Sequence, residues 1–174
     1  MFTSAMLTNR FPSCSLIDTS GSTAPFIDQI KAAAKAFVDQ MRPADTIQPI
    51  YFHGEIKPLS AEGINDPKVF DAAIDRIEPG PTNMGTRLYD AVHFGLNSLR
   101  PAATRRAVVL ITDGENTWGK ASTKSTLREA EESDVVVYTV QYGDLKPLRH
   151  QCHHRFIFSS WLRKRVGVTS RAAI

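Results

Sequence analysis

The sequence predicts an α/β fold, a doubly wound, mostly parallel sheet with one antiparallel edge strand and helices on both faces. Three observations predict it. Short apolar runs alternate with segments of helical period through residues 13–144, and parallel neighbours need helical crossovers between them. Ala107–Thr112 is a continuous apolar run, as expected for a parallel strand covered on both faces. Pro49 and Pro58 fall in two strand-like runs, Thr46–Phe52 and Glu55–Leu59. Each proline removes a ladder donor, so at least one of these strands belongs at a sheet edge.

The elements follow in order. Ser15–Asp18 is a short apolar strand ending in the turn-rich Thr19-Ser20-Gly21-Ser22. Ala24–Arg42 is a helix whose inward face is Phe26, Ile27, Ile30, Ala34, Phe37, Val38 and Met41. Ser22 or Thr23 can cap it, Pro25 suits its first turn, and Pro43 closes it. After the two strands around His53-Gly54, Asp66–Ile77 is a second helix, with Val69, Phe70, Ala73, Ile74 and Ile77 inward. The Gly- and Pro-rich loop Glu78–Thr86 leads to a helix from Arg87 to Leu99, with Leu88, Ala91, Val92, Gly95, Leu96 and Leu99 on its apolar face. Thr123–Ser133 is a polar helix and Val135–Tyr142 a last buried strand.

Size and charge bound the function. At 174 residues the chain has room for one ordinary domain. With 42% hydrophobic and 22% charged residues it has a globular composition. No apolar run is long enough for a membrane span, and MFTSAMLTNR, with Arg10, shows no cleavable signal peptide. Cys14 and Cys152 cannot make a disulfide framework. The net charge of +3 conceals an asymmetry: all seven ionic side chains after residue 144 are basic, leaving 14 basic against 18 acidic in residues 1–144, a net of −4. The basicity belongs to the tail, so no nucleic acid is predicted as a partner of the folded body. The organisation expected is a poorly ordered leader over 1–12, one domain over 13–144 and a basic tail over 145–174.

Ligands of doubly wound sheets bind outside the carboxyl ends of the strands. Three polar loops belong there: Asp18–Ser22, Gly85-Thr86 and Asp113–Thr117. Asp18, Ser20 and Ser22 stand at alternate positions, so their side chains can converge, and Gly21 permits a tight turn. Asp113-Gly114-Glu115 repeats the pattern of an acid at a strand end with glycine behind it, and Thr86 adds a hydroxyl. Two carboxylates and three alcohols, with no His or Cys, are hard oxygen donors suited to Mg²⁺ or Mn²⁺. An ion left with a water-filled position can accept a carboxylate from another molecule.

DTSGS, GTRLYDA and ITDGEN, in that order, strongly resemble the metal-ion-dependent adhesion site of von Willebrand factor type A domains, over residues 15 to about 144. GTRLYDAV most resembles a bacterial branch of that family. The resemblance implies a Rossmann-like domain whose metal is held by Ser20, Ser22 and Thr86, with Asp18 and Asp113 acting directly or through waters. Thr82, in Thr82-Asn83-Met84-Gly85, resembles another variant of the threonine loop; the match of Leu88, Asp90 and Ala91 favours Thr86. The chain departs from the family after Tyr142-Gly143-Asp144, where a further helix and last strand are expected. Arg155–Ser159 is a candidate for that strand without a clear helix before it, so the C-terminal part reads as incomplete.

Other clusters carry less. His150, Cys152, His153 and His154 fit no standard zinc spacing. Arg163-Lys164-Arg165 reads as a solvated end. Glu115 reads as a solvated loop acid, Asp90 as an exposed or cap-proximal helix residue, and Trp118 either lines a partner surface or packs. The leading expectation is a metal-dependent protein-binding module, not an enzyme, whose protein partner presents Asp or Glu to the bound ion. The alternatives are a metal-dependent hydrolase or phosphoryl-transfer enzyme, and a metal-free scaffold domain of a multi-subunit complex. Against the enzyme, no general base or nucleophile stands beside the ligand set. Localisation is not assigned.

Overall fold

A computed structural model describes residues 10–102 and 104–142. The five strands are β1 (Pro12–Asp18), β2 (Thr46–Phe52), β3 (Ile56–Pro58), β4 (Ala107–Thr112) and β5 (Val136–Gln141), and the helices are α1 (Ile27–Val38), α2 (Pro67–Asp75), α3 (Leu88–Ser98) and α4 (Thr123–Glu132). They form one sheet in the order β3-β2-β1-β4-β5. All neighbours are parallel except β2 and β3, so the antiparallel edge strand is β3. The expected mixed α/β sheet is therefore present. No helix among the described residues is long and apolar enough to cross a membrane.

Strand parity sends alternate side chains to two separate cores. Cys14, Leu16, Ile50, Phe52, Val108, Leu110 and Val137 meet the inward face of α3. Ile17, Ile47, Val109 and Ile111 meet α1 and α2 through Ile30, Ala34, Val38, Phe70 and Ile74. Every residue of β4 is buried, as its apolar run requires. The six apolar-face positions expected of α3 are all buried.

The prolines sit where the ladder tolerates them. Pro58 lies in the edge strand. The Pro49 carbonyl accepts from Leu59 N–H at 2.8 Å, so its missing donor faces the short edge strand and the β1–β2 ladder stays intact.

Several boundaries differ from expectation. β1 begins at Pro12, three residues earlier than its apolar run. Ser13 and Ser15 interrupt that run yet are buried, and the Ser13 hydroxyl donates to the Thr46 carbonyl at 3.1 Å. The first helix splits: Gly21–Phe26, containing Pro25, is a 3₁₀ turn, and α1 proper ends at Val38. Neither Ser22 nor Thr23 caps it; Ser22 reaches Asp113, and Thr23 donates to the Ser20 carbonyl at 2.7 Å. Val69, expected inward, is 52% exposed, because α2 centres its buried stripe on Phe70, Ala73 and Ile74. The strand proposed over Arg155–Ser159, the His/Cys cluster and the basic tail all lie outside the described residues.

Candidate functional site

The strand order places β1 between β2 on one side and β4 on the other, with α1 and α2 on one face and α3 and α4 on the opposite one. The chain winds outward in both directions from the β1–β4 pair. In doubly wound sheets the loops leaving the carboxyl ends diverge at such a point, and ligands bind between them. The loops after Asp18 and Thr112 leave this neighbouring pair of strands.

Asp18 ends β1 and is fully buried. Its Oδ1 accepts from Ser20 N–H at 3.0 Å and its Oδ2 from the Thr112 hydroxyl at 2.7 Å. Thr112 ends β4, and its oxygen accepts from Gly114 N–H at 3.0 Å. Gly114 takes φ 88°, a left-handed backbone that glycine alone adopts without strain. The Thr112 hydroxyl is thereby fixed in direction toward Asp18. Burial nevertheless pushes the Asp18 carboxyl up to about 6, against the opposing pull of these hydrogen bonds, and the nearby Asp113 carboxylate adds to the rise.

The second acid is tied to the first through hydroxyls. Ser22 Oγ donates to Asp113 Oδ2 at 2.7 Å, and Asp113 Oδ1 accepts from Glu115 N–H at 2.9 Å. Ser20 Oγ and Ser22 Oγ are 3.1 Å apart. Since Ser22 has given its one proton to Asp113, Ser20 is the donor of that pair. Both serine protons thus run toward Asp113, leaving oxygen lone pairs uncommitted. Ser20 is buried, Asp113 half-buried and Ser22 exposed, so the constellation grades from interior to solvent. Neither Asp18 nor Asp113 has a basic partner among the described residues.

Thr86 joins this network through backbone, not through its side chain. It is buried at 4% exposure, its N–H donates to Thr117 Oγ1 at 2.8 Å, and its carbonyl accepts from Thr117 and Trp118 N–H at 3.1 and 3.0 Å. The threonine loop and the Asp113 loop are thus braced together. Thr82 is exposed and lies over Gly21, where a Cβ would come within 2.7 Å of the Thr82 Cα. Trp118 is 57% exposed at the rim.

Sequence reasoning missed four residues around this site. Thr112 stands inside the motif ITDGEN, where the spacing gives it no role of its own, yet it orients Asp18. Thr117 clamps Thr86. Gln141 Nε2 donates to the Asp113 carbonyl at 3.2 Å from the end of β5, and Tyr142 follows it. Thr112 and Thr117 carry local signals, in ITDGEN and in the loop Asp113–Thr117; Gln141 meets Asp113 through sheet pairing, which no nearby spacing reveals. Among the described residues, no group of three or more His, Cys, Asp or Glu side chains could hold a metal, so any cation here would depend on the hydroxyls.

The family model for the von Willebrand factor type A domain matches residues 14–149. The human inter-alpha-trypsin inhibitor heavy chain H4 is 28% identical over 143 residues, 74% of this chain; the chain spans only 15% of that relative. Among solved structures, BatB from Bacteroides thetaiotaomicron superposes with TM-score 0.63 at 24% identity, covering 75% of this chain and 65% of that one. An aerotolerance-related membrane protein from Bacteroides fragilis superposes with TM-score 0.66 at 22% identity, covering 83% of this chain and 75% of that one. At these identities the structural likeness shows the fold.

Proposed function

Because the chain belongs to the von Willebrand factor type A domain family, whose members are typically non-enzymatic modules of protein interaction and adhesion, we propose that it binds Mg²⁺ or Mn²⁺ and through it captures an acidic side chain of a partner protein. Ser20, Ser22 and Thr86 would hold the ion, with Asp18 and Asp113 acting directly or through water. The observation that carries this reading is a pair of carboxylates that have no basic side-chain partner among the described residues and are linked to each other through hydroxyls and a backbone amide.

The donor set fits the ion. Oxygen donors without nitrogen or sulfur favour hard dications, and two carboxylates balance a double charge. Asp18 sits where burial opposes its ionisation, a cost that a cation beside it would offset. When bound, the dication supplies a positive centre with a position open to an external carboxylate.

The protein's own groups do the rest. Thr112 and the Ser20 N–H aim Asp18. Asp113 collects the Ser22 proton and so turns the serine lone pairs away from itself. The brace from Thr117 and Trp118 fixes the position of Thr86. Exposure of Ser22 leaves the solvent side open to a partner.

Isothermal titration with Mn²⁺ and Mg²⁺ tests the reading. Saturable binding is expected in the wild type and its loss in Asp18→Ala with Ser20→Ala. A silent wild type, or a double variant that binds equally, rejects it. Thr86→Val and Thr82→Val, titrated in parallel, separate the two threonines: the loss is expected with Thr86→Val.

A further inference from the structure

Tyr142 stands immediately after β5, beside the loop that carries Asp113. Its N–H donates to the Thr112 carbonyl at 3.3 Å, and its ring packs against Phe26 with centroids 5.9 Å apart. Its hydroxyl is buried beside Thr23 and the Asp113 backbone amide, yet neither reaches it in hydrogen-bond geometry. The Thr23 proton is already given to the Ser20 carbonyl. A buried phenol with no acceptor is uncommon, because the lost hydration is not replaced. Beside it, Gln141 Nε2 holds the Asp113 carbonyl. Two successive residues at one strand end thus both lie against Asp113.

We propose that Tyr142 and Gln141 are positioning residues for Asp113, Gln141 holding its carbonyl and the buried Tyr142 hydroxyl oxygen accepting from the Asp113 N–H, which restrains the loop once a cation draws the carboxylate toward itself. This rests on the metal-binding reading above. A purely structural role for the hydroxyl makes the opposite prediction: removing a buried group without a partner leaves metal affinity untouched.

The test uses the full chain, Mn²⁺ as the probe, and two variants, Tyr142→Phe and Gln141→Leu. Tyr142→Phe keeps the ring against Phe26 and deletes one oxygen. Calorimetric titration is expected to show Mn²⁺ affinity falling about 10-fold in each variant, the lower end for groups that orient a ligand. The melting temperature of metal-free Tyr142→Phe is expected to match or exceed that of the wild type. If the wild type binds Mn²⁺ and both variants bind it equally well, this inference fails while the metal site stands. If affinity and metal-free melting temperature fall together in Tyr142→Phe, the hydroxyl belongs to the fold and the inference fails. A wild type that takes up no Mn²⁺ overturns the metal reading, and this inference with it.

Discussion

Asp18 and Asp90 are both withdrawn from water, and their surroundings treat them in opposite ways. Asp90, in the first turn of α3, accepts from the backbone N–H groups of Lys120 and Ala121 at 3.1 and 2.8 Å and from Arg87 Nε at 3.1 Å. Burial raises its pKa, but these backbone donors and the guanidinium more than offset that, and the carboxyl is held below its ordinary value. Asp18 is more deeply buried and receives one amide and one hydroxyl, with no cation among the described residues. Asp90 is a finished structural tie between α3 and the loop before α4. Asp18 is an acid maintained against its own desolvation, an arrangement that stability alone does not explain.

The largest effect that separates them is metal binding. Asp18→Asn keeps the shape and removes the charge, and it should weaken Mn²⁺ binding by about 100-fold or more, at or beyond the range for losing an outer-sphere group. Without metal the same variant should be the more stable protein at neutral pH. The sign follows from the raised pKa. Well below pH 3.8 the carboxyl is protonated in both states and costs nothing. As pH rises from 3.8 to about 6 the unfolded chain releases its proton first, so folding loses stability, up to about 3 kcal/mol in all. Urea unfolding of both proteins in EDTA at pH 4 and pH 7 measures the difference. A variant less stable than wild type at pH 7 would break the contrast.

Asp90→Ala should act the other way round. It leaves two backbone N–H groups and Arg87 without their acceptor, which costs about 2 kcal/mol. Mn²⁺ affinity, corrected for the folded fraction, should change by less than about 3-fold, since Asp90 is no part of the proposed ligand set. Denaturation midpoints and titration on the same sample check both statements. A loss of affinity comparable to that of Asp18→Asn would make Asp90 part of the site.

The two acids also show how far the sequence can be read. The alternation of elements was legible because apolar periodicity is a local property, and Ala107–Thr112 emerged with the expected bounds. Asp18, Ser20, Ser22 and Asp113 were legible as candidates because each sits in a short motif at a strand end, and hydrogen bonds do link the two loops. The 3₁₀ turn through Pro25 was hidden, since its spacing resembles the first turn of a helix. The N-terminal half of β1 was hidden as well, because buried Ser13 and Ser15 interrupt its apolar run. Asp90 reads as a surface or cap residue for a related reason: its partners, Lys120 and Ala121, are backbone groups about thirty positions away. Gln141 escaped notice because only the β4–β5 register brings it to Asp113. What stayed hidden is what long-range pairing creates.

The smallest effects compare two buried threonine hydroxyls. Thr112 Oγ1 donates to Asp18 and accepts from Gly114, whereas Thr126 Oγ1, in α4, is buried with no partner. Valine is close in shape to threonine, so each swap deletes mainly the hydroxyl. Thr112→Val strips Asp18 of a donor, which should raise its pKa further, lower Mn²⁺ affinity about 10-fold and destabilise the fold by about 1 kcal/mol through the orphaned Gly114 N–H. Thr126→Val gives up no hydrogen bond and should shift stability by less than about 0.5 kcal/mol, toward the folded state, with affinity unchanged. Paired titrations and melts distinguish them. Equal effects at the two positions would mean that the Thr112 bond contributes only packing, and that Asp18 is aimed by the Ser20 amide alone.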